Sequence, residues 1–250
     1  MLAAAYASTI GMDAIPGHDY AGDEPHYLLA ARSLADQRAL DVSDDYREKA
    51  YDEFDSPPPK PQGRRRDGSL YEPHAIGLPL LAAPFYAIGG AKAVELMVAA
   101  LLSLAMALSY LLARRVVPDP WCAGAALALG LSPPLVAYGT AVLPEPVAAA
   151  ALAGAALLAA RLREAPSGRA AIGCLLLVGA LPWLGLKFIP PALVIGWSAV
   201  RSLRAAHRRL LALAAVEVAF FSLALLIGLN EALFGGATPH SADLPGVSAT

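Results

Sequence analysis

The chain has 250 residues, is 57% hydrophobic and 16% charged, and carries a formal net charge of -2. Its mean hydropathy of +0.51 and its apolar excess over the usual ~45–50% point to a membrane protein. The net charge of -2 by itself says nothing about nucleic acid, but no nucleic-acid-binding motif is present, so no such partner is expected. The two cysteines, Cys122 and Cys174, lie in apolar runs and offer neither a disulfide framework nor a metal spacing.

Charge is unevenly placed. Fourteen of the 21 acids lie between Asp13 and Glu72, so a polar stretch of about 60 residues precedes a hydrophobic remainder. Residues 1–11 are apolar but too short to span a bilayer, which takes about 20 residues. They also lack the basic start of a signal peptide. They read as the back half of a first transmembrane helix, with an interfacial stub as the alternative. Residues 12–76 form an external loop. Within it, Gly22-Asp23-Glu24-Pro25-His26-Tyr27 opens a short amphipathic helix. Pro25 suits the first turn, and Leu28, Ala31, Leu34 and Ala35 recur at helical spacing. Asp23 and Glu24 then sit at a helix N-terminus, where dipole and free N–H groups favour carboxylates. Such a pair can bind a divalent cation or take a proton from a hydroxyl.

A second surface helix is expected from Asp44 to Phe54. Ser56–Pro61 is extended because of its prolines. Arg64-Arg65-Arg66 is either a grip on lipid phosphates or a solvated charge run. Residues 77–234 read as a transmembrane bundle. Leu78–Ile88 is a juxtamembrane helix broken by Gly89-Gly90, and Ala93–Ala113 is a span. Trp121–Tyr138 is a span kinked at Ser132-Pro133-Pro134. Pro144-Glu145-Pro146 marks a turn, and Val147–Ala160 returns the chain. Ala170–Val200 is too long for one span and reads as two short helices turning near Gly185–Lys187. Leu210–Leu229 spans again, and residues 235–250 form an external tail.

The short loops orient this bundle. Arg114, Arg115, Arg161, Arg163, Arg169, Arg201, Arg204, Arg208 and Arg209 fall on one side, and only Lys187 on the other. Positive charge marks the cytoplasmic side, so the acidic loop faces out. The expected fold is therefore all-α: a polytopic, multi-pass helix bundle of the plasma membrane, with an external first loop carrying short amphipathic helices.

Asp23-Glu24-Pro25-His26-Tyr27, followed by Ala30-Ala31-Arg32-Ser33-Leu34, resembles the acidic motif in the first external loop of GT-C membrane glycosyltransferases. The likeness is to the dolichyl-phosphate-mannose protein mannosyltransferases and the lipid A aminoarabinose transferases. Gly77-Leu78-Pro79-Leu80 at the returning turn, Glu145 at the outer end of a later span, and Lys187 after Leu181-Pro182-Trp183 are also similar. The chain departs from the family in length, about half the membrane region, which reads as an N-terminal fragment. It also has His74 where the aminoarabinose branch has a lysine.

The resemblance implies inverting sugar transfer from a polyprenyl-phosphate donor to a hydroxyl of a protein or glycolipid acceptor. It implies Asp23 as base or its orienter, with Glu24 supporting it or sharing a divalent cation. It also implies His74 and Lys187 facing the donor phosphate, with Glu145, His26 and Tyr27 nearby. Each has a plainer alternative. Asp23 and Glu24 would cap a helix, His26 and Tyr27 would pack at the interface, and Lys187 would snorkel. Glu217, inside a span, is a further suspect by position. The competing functions are a transporter or channel fragment and a non-catalytic membrane subunit.

Overall fold

The computed structural model describes residues 1–54, 57–66 and 68–240. Ser56 of the proline-rich run and residues 241–250 of the tail lie outside them. The fold is all-α. Its helices are α1 (Leu2–Ala7), α2 (Glu24–Asp36), α3 (Ser43–Arg47), α4 (Gly77–Ala113), α5 (Trp121–Gly130), α6 (Pro133–Ala137), α7 (Pro144–Glu164), α8 (Gly168–Leu184), α9 (Ile189–Ala205) and α10 (Arg209–Phe234). Among the described residues the strands are β1 (Arg64–Arg66) and β2 (Ser69–Tyr71), an antiparallel pair with Arg65 opposite Leu70.

Among the described residues, three helices, α4, α7 and α10, are long and apolar enough to cross a membrane. The outward faces of α4 and α10 stay uncovered and apolar, with Leu96, Leu104, Phe220 and Phe221 exposed. α7 lies at the centre, packed against α4, α8 and α9. Its buried face is built from Ala148, Ala151, Ala155 and Ala159. Small side chains at this spacing let neighbouring helix backbones approach closely. A polar tie joins α8 to α10: Trp183 Nε1 donates to Ser222 Oγ at 2.9 Å, and Ser222 Oγ donates to the Gly179 carbonyl at 2.8 Å.

Several expectations are met in outline. α4 runs through Gly89-Gly90 with a local break, where Gly90 adopts φ +63°, a conformation other residues rarely take. The chain turns at Gly185, and Leu186–Phe188 form a single 3-10 turn before α9. Others need correction. The helix expected after Gly22 forms as α2, but its first turns are covered more fully than an amphipathic pattern implies: Glu24 through Ala31 are all buried, because α4 covers one side and the loop folds over the other. Asp44–Phe54 is not one helix but α3 and a 3-10 turn at Ala50–Phe54, separated where Lys49 takes φ +55°. Trp121–Tyr138 is not a kinked span but two short helices. Ser132 is extended and the prolines after it restart the helix. Pro144–Pro146 form the first turn of α7 rather than a turn outside it, since proline fits the position whose N–H is unused.

Two contacts fold the loop onto α2. Asp41 Oδ1 accepts from the Ser43 and Leu70 N–H groups, both at 2.9 Å, and so fastens β2 to the start of α3. Arg32 on α2 donates to Asp45 Oδ1 on α3 at 2.6 Å, and the Asp45 side chain is wholly buried. Removing one partner of a buried pair strands the other charge, at a cost of about 3–5 kcal/mol. Arg32→Met should therefore lower unfolding free energy in detergent by about 3 kcal/mol. Arg47→Met, which breaks an exposed pair with Asp44, should lower it by under about 1 kcal/mol. Denaturation of both variants side by side checks this, and equal losses would remove Arg32 as the anchor of the loop.

Candidate functional site

The site grows from the first turn of α2. Pro25 occupies the position that needs no N–H, and Asp23 is the N-cap residue but makes no side-chain cap hydrogen bond. Glu24 is used structurally. Its Oε2 accepts from the Ala21 N–H at 3.1 Å, and its Oε1 accepts from the Val142 N–H at 2.8 Å, just before α7. Burial pushes the Glu24 carboxyl above its ordinary range; those two N–H groups pull it back in part, and Glu95 adds to the rise.

The adjacent carboxylates face different spaces. Asp23 lines a cavity of about 410 Å³ with Tyr27, His74, Lys187, Gln62 and Asn230. Glu24 lines another, of about 470 Å³, with Tyr20, Asp19 and Glu95. There the Tyr20 hydroxyl donates to Glu95, and Lys92 pairs with Asp19 at 2.5 Å. The structure thus brings Asp23, Tyr27, His74 and Lys187 to one cavity and takes Glu24 to the other.

Two features hold the far wall of the first cavity. At Gly77 a Cβ would lie 2.5 Å from the Trp183 carbonyl oxygen, so only glycine lets the start of α4 approach the end of α8 this closely. This sets His74, three residues earlier, beside the Pro182–Lys187 turn. Lys187 forms an ion pair with Glu145 in the first turn of α7. Tyr27 packs on His74 with ring centroids 5.0 Å apart. Burial raises the Tyr27 phenol well above its ordinary value, with Asp23 and Glu145 adding to the rise, so it stays protonated. Burial lowers His74, partly offset by Asp23, and keeps its imidazole neutral near pH 7.

His26 turns away from this wall into a buried chain. Its Nδ1 lies 2.9 Å from the Tyr46 hydroxyl, which donates to Glu72 Oε1 at 2.6 Å. Its Nε2 lies 3.2 Å from the Gln62 amide nitrogen. Tyr46, Glu72, Gln62 and Asn230 escaped the sequence reading. One signal for Glu72 was present: the tripeptide Glu-Pro-His occurs twice, at Glu24–His26 and Glu72–His74, and the two copies meet in the fold. Glu217 is exposed on the outer face of α10, away from both cavities.

Comparison with family models, with curated proteins and with solved structures returned no match. The geometry offers a carboxylate with no capping duty on a cavity wall, a neutral imidazole beside it, and a lysine on the same lining that is paired with Glu145.

Glu24 makes a pH-dependent contribution with a defined sign. Its folded pKa lies above the ordinary value of about 4.3, so its stabilisation is fully present below that value and is lost as pH rises through the folded pKa. Glu24→Gln is neutral at every pH. The stability of this variant relative to wild type should rise with pH across that window in detergent melts. A constant difference would mean that Glu24 titrates like an exposed carboxylate.

Proposed function

We propose that the chain is a membrane glycosyltransferase, moving a sugar from a polyprenyl-phosphate donor to an acceptor hydroxyl on the outer face. The observation that carries this reading is Asp23. Its carboxylate has no capping role, yet it stands on the wall of a cavity that also holds His74 and Lys187. The cavity volume suits a hexose or pentose and its phosphate. The likeness to the GT-C acidic motif and the order of features along the chain point the same way.

On this reading, Asp23 takes the proton from the acceptor hydroxyl as it attacks the anomeric carbon. The C–O bond to the lipid phosphate breaks, the phosphate leaves with the electron pair, and one displacement inverts the centre. Lys187 supplies positive charge to the leaving phosphate, with Glu145 holding its ammonium in place. Tyr27 and His74 shape the sugar side. Glu24 positions Asp23 through its backbone bonds and is not itself the base. The bundle is polytopic, with residues 12–76 outside, because the nine arginines from Arg114 to Arg209 cluster at the opposite ends of the apolar helices.

Two measurements test this. Asp23→Asn keeps shape and removes the base, so transfer from polyprenyl-phosphate donors in membranes should fall at least about a hundredfold. The melting temperature should hold, since no cap bond is lost. Near-normal transfer would remove Asp23 from the chemistry. Separately, cysteines at the exposed Glu48 and at Gly236 should react with an impermeant maleimide on intact cells, and one at Ser167 should not; Cys122 and Cys174 are buried. Labelling of Ser167→Cys with protection of Glu48→Cys would reverse the orientation and sink an outward-facing site.

A further inference from the structure

The two Glu-Pro-His tripeptides bring three ligand-type side chains together behind the cavity wall. His26, on α2, meets Glu72 and His74, on the segment that returns to α4, and one ligand atom from each lies within 4.8 Å of the others. Glu72 is 6% exposed and His26 2%. A small cavity of about 20 Å³ is lined by all three, with Tyr27, Ile76 and Phe234. That is room for a single water-sized occupant.

Two buried polar atoms here have no hydrogen-bond partner: Glu72 Oε2 and His74 Nε2. Buried polar atoms left unpaired are rare and destabilising, so an occupant that bonds both belongs between them; a cation fits where His74 presents Nε2 as its lone-pair nitrogen. We infer that His26, Glu72 and His74 form a binding site for a divalent transition-metal ion of the zinc type.

The distances fit that chemistry. Ligand bonds of about 2.0–2.2 Å arranged tetrahedrally place neighbouring ligand atoms about 3.3–3.5 Å apart. His26 Nδ1 and Glu72 Oε2 are 3.3 Å apart, too poorly aligned for a hydrogen bond but matching that edge. The three ligand atoms lie within 4.8 Å of one another, so closing the third corner needs His74 to approach by up to about 1.4 Å to reach a tetrahedral edge. Two imidazoles and one carboxylate form a borderline donor set, which suits zinc, cobalt or iron over magnesium or calcium. Three protein ligands leave a fourth position for water.

The surrounding groups serve as outer supports. Tyr46 holds Glu72 Oε1, leaving Oε2 for the ion. Gln62 meets His26 Nε2, and with its amide turned over its oxygen accepts from that nitrogen once Nδ1 binds metal. His74 is shared with the wall that holds Asp23, but neither Asp23 nor Glu24 belongs to the cluster, and the inference does not depend on the glycosyl-transfer reading. Its effect on the fold is to clamp the return segment to α2.

The test uses the full chain in detergent, stripped with EDTA and desalted, with Co²⁺ as a spectroscopic probe and Zn²⁺ as competitor. Wild type should take up about one Co²⁺, with the visible d–d absorption of a tetrahedral site. Zn²⁺ should displace it and raise the melting temperature. Glu72→Gln and His74→Ala should each weaken Zn²⁺ binding by more than about a hundredfold, and Tyr46→Phe by about ten- to a hundredfold, the scale of an outer support. Asp23→Asn should bind Zn²⁺ as wild type does, which separates this site from the proposed base. No d–d band in wild type, with equal melting in EDTA and Zn²⁺, would overturn the inference and leave a buried water as the occupant. Unchanged Zn²⁺ affinity in a folded Glu72→Gln would overturn it too. Should that variant fail to fold, the wild-type spectrum and its displacement by Zn²⁺ decide alone.

Discussion

The arrangement depends on one carboxylate accepting two backbone N–H groups, one from the polar stretch and one from the apolar part of the chain. Glu24 takes the Ala21 N–H and the Val142 N–H together. The first bond closes the turn entering α2. The second ties that turn to the segment leading into α7. Because α7 packs on α4, α8 and α9, this side chain ties the polar loop to the centre of the apolar bundle, alongside the packing of α2 on α4 and the Tyr20–Glu95 and Lys92–Asp19 contacts. Successive residues on a helix point about 100° apart. Fixing Glu24 inward therefore turns Asp23 toward the other cavity.

Asp23 gains its chemical freedom from the same constraint. A carboxylate at an N-cap ordinarily bonds the N–H groups two or three residues on. Here Glu24 reaches back to Ala21, and Asp23 is left with no cap bond. The local cause is plain: Pro25 has no N–H to offer, and Asp23 has helical rather than extended backbone angles, so its carboxylate is left facing the cavity.

Parts of this were legible in the sequence because their causes are local. Pro25 and the spacing of Leu28, Ala31 and Leu34 mark α2. Gly89-Gly90 marks the break in α4, and Gly185 the turn between α8 and α9. What was not legible is long-range. Nothing near Glu24 says that its partner is Val142, so the two acids looked like a pair. The burial of α2 follows from Asp41 meeting Leu70 and Arg32 meeting Asp45, contacts that close only when the loop folds back. Lys187 looked isolated because its acid, Glu145, lies on another helix. The Pro-Glu-Pro at Pro144–Pro146 supports either a turn or a helix start. Packing of the alanine face behind it decides for the helix.

The charges around the first cavity do not balance. Asp23, Glu145 and Lys187 sum formally to one negative charge, and His74 is held neutral. An anionic phosphate entering such a space meets net repulsion unless the cation changes partner or another cation arrives. Lys187 is more than half exposed and its pair with Glu145 is partly solvated, so exchanging a carboxylate for a phosphate is a small step. A divalent ion behind His74 would add positive charge to the same wall without spending Lys187. On the proposed reading, the positive charge must therefore be movable or imported; Lys187, in the turn after α8, and His74, three residues before Gly77, are brought to this one wall by the close approach at Gly77.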